Sequence, residues 1–142
     1  MIGDRSSAQA AFPTLEWFED LRSAAASDPE LAVVGQWCTI DLALVVGEKT
    51  ILLHLREGSI DEIVANPDIG TSWDVTLRGT KEDWDTFLRP TPPPLYTDLL
   101  AMNSRVPSFS IEGNRRKFVR HLRALGRIFA IAQSIGAGHA RV

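Results

Sequence analysis

Between Ile40 and Leu55 the chain alternates almost without interruption. Ile40, Leu42, Leu44 and Val46 fall on one side, with Thr39, Asp41, Ala43 and Val45 on the other; after Gly47-Glu48-Lys49, the residues Ile51, Leu53 and Leu55 resume the pattern. Successive side chains of an extended strand point to opposite faces, so this spacing predicts two strands that each bury one face. A short glycine-containing turn between them makes a hairpin, and the hairpin commits the chain to an antiparallel sheet that other elements must extend or cover.

The flanking segments supply those elements. Leu15, Phe18, Leu21 and Ala25 have helical spacing between Pro13 and Ser27, with Pro13 suited to a first turn and Glu16, Glu19 and Asp20 near the N-terminus, where the helix dipole favours acids. A third strand is expected around Ser59 to Val64, and a fourth where Trp73, Val75 and Leu77 alternate with Asp74, Thr76 and Arg78. Gly79 ends that strand, and Thr80 with Asp83 forms a capping-box pattern opening a helix that carries Trp84, Phe87 and Leu88. Arg89-Pro-Thr-Pro-Pro-Pro stops it, because proline lacks an amide donor and restricts its predecessor. A short helix over Leu95–Met102, a short strand with Phe109 and Ile111 ending at Gly113, and a long helix to about Ser134 complete the order. Helices segregated from hairpin-linked strands predict an α+β fold with an antiparallel sheet.

At 142 residues, 44% hydrophobic and 23% charged, the chain has the composition of one globular domain. We expect that domain over residues 13–135, between tails at 1–12 and 136–142. The N-terminal stretch lacks a signal peptide's apolar block and no apolar run approaches a membrane span, so a soluble, cytoplasmic protein is expected. The single cysteine, Cys38, cannot form an internal disulfide.

The net charge of −3 is unevenly spread. Residues 113–142 hold seven of the 15 basic residues and no acid, which leaves eight basic against 18 acidic residues, a net of −10, in the remainder. In the terminal helix Phe118, Leu122, Leu125, Ile128, Phe129 and Ala132 share one band, and Arg116, Arg120, Arg123 and Arg127 cluster opposite. Like charges at these spacings cost roughly 0.2–0.5 kcal/mol per pair when nothing offsets them. Two readings stand: a solvated face bridged to acids elsewhere in the fold, or contact with an anionic membrane surface or an acidic partner protein. The overall acidity and the absence of a nucleic-acid motif argue against a nucleic-acid partner.

The two strand–glycine–helix junctions, Trp73-Asp-Val-Thr-Leu-Arg-Gly-Thr-Lys-Glu-Asp-Trp and Phe109-Ser-Ile-Glu-Gly-Asn, follow a hairpin-rich region. In this they resemble the sterol carrier protein type 2 family of lipid-binding domains over roughly residues 30–130. The resemblance implies a five-stranded, mostly antiparallel sheet covered by helices, with an apolar tunnel between them for fatty acids, acyl-coenzyme A, sterols or similar lipids, and no catalytic residues or cofactor. It implies that Trp84, Phe87, Leu88, Leu99, Met102, Phe109, Ile111, Phe118 and Leu122 border the ligand. The proline run Arg89–Pro94 and Asn103-Ser-Arg-Val-Pro depart from the family's glycine-containing segment.

Catalytic patterns are sparse. Nothing near Cys38 would depress its pKa, and His54, His121 and His139 lack metal-ligand spacing. The remaining enzyme reading is a small isomerase- or hydrolase-like cone in which Asp41 or Asp74, turned into an apolar pocket, has a raised pKa and acts as general base with His54 as partner. In the alternation above both carboxylates lie on the polar face. A third reading is an accessory subunit that uses the arginine row and the proline-rich loop to dock.

Overall fold

The computed structural model describes residues 10–138. His139, and most of the expected tails at residues 1–12 and 136–142, lie outside the described residues. Eleven elements follow in chain order: α1 (Leu15–Ala26), α2 (Pro29–Val34), β1 (Ile40–Val46), β2 (Lys49–Arg56), β3 (Ser59–Ala65), β4 (Val75–Gly79), α3 (Lys81–Phe87), α4 (Leu99–Arg105), β5 (Ser110–Gly113), α5 (Arg115–Arg120) and α6 (Leu122–Ile135). The strands form one sheet in the order β3-β2-β1-β4-β5. Every neighbouring pair is antiparallel except β1 and β4, which run parallel.

Register carries the period-two pattern across the whole sheet. Leu42 stands opposite Leu53 and Val75, and Leu44 opposite Ile51 and Leu77, with Ile111 beyond. These side chains form the floor of the core, and the helices cover that face. The result is the expected five-stranded α+β architecture. The opposite face keeps the polar members of the alternation, Asp41, His54 and Arg78, around the buried Ala43 and Leu52.

Both strand–glycine–helix junctions have a steric reason. A Cβ on Gly79 would lie 2.9 Å from Phe109 Cδ1 and 3.3 Å from Trp84 Nε1, so the backbone there passes directly under two rings. Gly113 has φ +97°, and a Cβ would meet Asp74 O at 2.6 Å, so only glycine fits. The capping box after Gly79 is complete: Asp83 N–H donates to Thr80 Oγ1 at 3.0 Å, and Thr80 N–H donates to Asp83 Oδ2 at 3.1 Å. It aims Trp84 into the core, where its indole N–H donates to Val45 O at 3.0 Å. Phe12, Phe87, Phe109 and Phe129 pack around this ring with centroids 5.7–6.3 Å away.

Three features differ from the sequence reading. The segment after Ser27 forms a second helix, α2, capped by Asp28 with Pro29 in its first turn. The terminal helix is two helices, because at His121 the backbone leaves helical geometry and its N–H is shared between Lys117 O and Phe118 O, both at 3.2 Å. The packed body also extends past the expected bounds of 13 and 135. Phe12 and Ala137 are buried, Phe12 N–H donates to Ala137 O at 2.8 Å, and Trp17 Nε1–H donates to Gly136 O at 2.8 Å.

Candidate functional site

The helical layer is not closed everywhere. Asp98 caps α4 by accepting the Ala101 N–H at 2.8 Å, and α4 then packs against β5 rather than flat on α6. Between α4 and α6 this leaves a solvent-connected groove of about 280 Å³. Phe87 and Phe129, with ring centroids 5.9 Å apart, form its base; Leu99 and Leu100 line one wall, and Leu122, Leu125, Gly126 and Ala130 line the other. Gly126 contributes no side chain, and a Cβ there would find no heavy atom within 4 Å. The polar groups around this apolar surface are Thr97, Asp98 and Gln133.

Of the residues that sequence reasoning assigns to a ligand, Phe87, Leu99 and Leu122 line the groove. Trp84, Leu88, Met102, Phe109, Ile111 and Phe118 are buried in the core and do not line it. The groove is also lined by Thr97, Asp98, Leu100, Leu125, Gly126, Phe129, Ala130 and Gln133, which sequence reasoning does not assign to a ligand. The stripe 122, 126, 129, 133 is itself at helical spacing, so a search for a glycine in an apolar stripe would have found it.

The arginine row divides. Arg127 grips Asp28 with two guanidinium nitrogens, at 2.7 and 2.8 Å, and approaches Glu30 at 3.4 Å. This hydrogen-bonded pairing holds the Asp28 carboxyl at about 2 and ties α6 to the start of α2. Arg116, Arg120 and Arg123 are exposed and form no ion pair with any described residue, and the exposed Val119 lies among them.

The strand carboxylates are structural staples. Asp41 Oδ1 accepts hydrogen bonds at 2.8 Å from His54 Nδ1 and from Arg56 Nη1. Burial alone would raise its pKa, but the bonds from His54 and Arg56 outweigh burial and hold it below the ordinary carboxylate value. That does not favour the enzyme reading for Asp41, which required a raised pKa in an apolar pocket. Asp74 Oδ2 accepts the Asp41 N–H at 2.8 Å and Lys117 Nζ at 3.0 Å, joining β4, β1 and α5. Burial pushes the Cys38 thiol up to about 11, away from the thiolate a nucleophile needs. Burial, followed by the charges of Lys117 and Arg120, lowers the His121 pKa. Among the described residues no cluster of three His, Cys, Asp or Glu side chains could hold a metal ion. No helix among them is long and apolar enough to cross a membrane.

This sheet order, with helices on one face, matches the sterol carrier protein 2 fold. The crystal structure of sterol carrier protein 2 superimposes with a TM-score of 0.64 at 13% identity, covering 82% of this chain and 93% of that one. A conserved hypothetical protein from Thermus thermophilus, described as possibly a sterol carrier protein, gives 0.70 at 13% identity over 94% of this chain and 99% of its own. A UbiJ-SCP2 ubiquinone synthesis protein gives 0.54 at 11% identity over 80% and 90%. No protein-family sequence pattern and no curated protein sequence matches the chain.

Proposed function

We propose that the protein binds the hydrocarbon part of a lipid in the groove between α4 and α6 and carries it without chemically changing it. The groove itself is the observation that carries this reading: it is solvent-connected, walled by leucine and phenylalanine, and close to the lower end of the usual range for ligand sites. Burying about eight methylenes there would contribute about 6 kcal/mol before the costs of ordering the ligand, a modest affinity that suits a carrier which must also release its cargo. Two of the proteins that share the fold, sterol carrier protein 2 and the Thermus thermophilus protein described as possibly a sterol carrier protein, support the same reading. Arg116, Arg120 and Arg123 would hold the carrier at an anionic membrane surface, where juxtaposed basic side chains are attracted by acidic headgroups.

Native mass spectrometry of the purified protein before and after organic extraction tests the reading. Retained acyl or sterol mass, or stoichiometric uptake of added long-chain lipid by the extracted protein, is the expected result. A folded protein that takes up neither long-chain alcohols, fatty acids nor sterols would refute it.

A further inference from the structure

The polar rim of the groove constrains the ligand's head. Gln133 bonds Phe87 O at 3.0 Å, and since a carbonyl oxygen accepts only, the bonded atom must be the amide nitrogen. Gln133 Oε1 is therefore an acceptor with no bond to any described residue. Asp98 uses one carboxylate oxygen, Oδ1, to cap α4 and leaves Oδ2 without a bond to any described residue. Thr97 adds an exposed hydroxyl, which can accept as well as donate. Among the described residues no lysine, arginine or histidine lines the groove, and Arg127, on the same helix, is held by Asp28.

A lipid carboxylate or phosphate brought to this rim would meet the like charge of Asp98, against which the Thr97 hydroxyl and the second amide hydrogen of Gln133 are the only side-chain donors among the lining residues. A hydroxyl or ammonium head would supply the donors that Asp98 and Gln133 leave unmatched. We infer that the groove selects lipids whose heads donate hydrogen bonds and carry no negative charge, long-chain alcohols, sterol-type hydroxyls or amines, over fatty acids and lipid phosphates. The inference rests on the groove being the ligand site, and it makes Asp98 the residue that sets head-group selectivity.

The test uses three probes of one chain length, dodecanol, dodecylamine and dodecanoic acid, titrated at neutral pH into extracted wild-type protein and into Asp98→Asn. Asparagine caps a helix about as well as aspartate, so the variant keeps α4 while losing the charge. Wild-type protein should bind the alcohol and the amine about tenfold or more tightly than the acid, and Asp98→Asn should narrow the gap by strengthening the acid and weakening the amine. Equal binding of acid and alcohol by wild-type protein, or an unchanged acid-to-amine ratio in Asp98→Asn with its helical circular dichroism intact, would overturn the selectivity and leave the carrier reading standing. Binding of none of the three would overturn both.

Discussion

Gly126 lies inside α6 with open space where its Cβ would be, a position that separates the groove from the stability of the fold. Glycine in a helix interior is about 0.5–1 kcal/mol less favourable than alanine, because it loses more backbone freedom on folding. With no atom for the added methyl to strike, that difference should appear in full, so Gly126→Ala is expected to stabilise the protein by about 0.5–1 kcal/mol. For a chain of this length the melting temperature should rise by roughly 2–4 °C per kcal/mol. Gly126→Leu gains nearly the same propensity and projects its side chain into the groove beside Leu122 and Phe129. It should melt at or above the wild-type temperature while binding dodecanol about tenfold more weakly or worse, since the cargo's volume is taken. Thermal denaturation by circular dichroism and titration with the alcohol read the two effects separately. A Gly126→Ala protein that melts lower would refute the open wall. A folded Gly126→Leu protein that binds like wild type would refute the groove as the binding site.

The remaining predictions concern the supports of the site. Asp28 has its pKa depressed from 3.8 to about 2, so its contribution is present above the unfolded value and is lost as pH falls through the folded one; Asp28→Asn, which keeps the cap, should flatten the loss of stability between about pH 4 and pH 2 in urea titrations. Trp84→Phe removes the indole donor to Val45 O and should cost about 1–3 kcal/mol, seen as a lower urea midpoint with an unchanged slope. Charge reversal at Arg120 and Arg123 together should abolish co-sedimentation with vesicles rich in phosphatidylserine while leaving dodecanol binding unchanged; retained sedimentation would remove the membrane role of this row.

The parts of the fold that are legible in the sequence are those where a local pattern and its consequence coincide. The alternation from Ile40 to Leu55 is visible because one strand face is buried along its whole length. Thr80 and Asp83 can be recognised because a capping box is complete within four residues. Pairings between distant segments leave no such trace. The parallel register of Leu44 on Leu77 joins strands separated by a hairpin and a loop, and Arg127 meets an acid almost a hundred residues away. Helix α2 escapes a reading by period because six residues are too few to show one, leaving only the Asp28-Pro29 start signal. For the groove, sequence identifies apolar helix faces but cannot show which helices close on each other. Trp84 and Phe118 are as hydrophobic as Phe87 and Leu122, and only packing decides which pair stays open.

The parallel seam between β1 and β4 has a consequence for a chain made from its N-terminus. When Ala65 has emerged, β1, β2 and β3 can already pair, but the other side of β1 has no partner until Val75–Gly79 is synthesised. Until then the strand that ends at the centre of the sheet, buried at all but one of its residues, is an open edge with a row of unmatched amides and carbonyls. Two nascent chains on one messenger would offer each other the same edge. A strand buried in the finished protein thus keeps one edge open during translation, and slow decoding between codons 65 and 79 would lengthen that exposure.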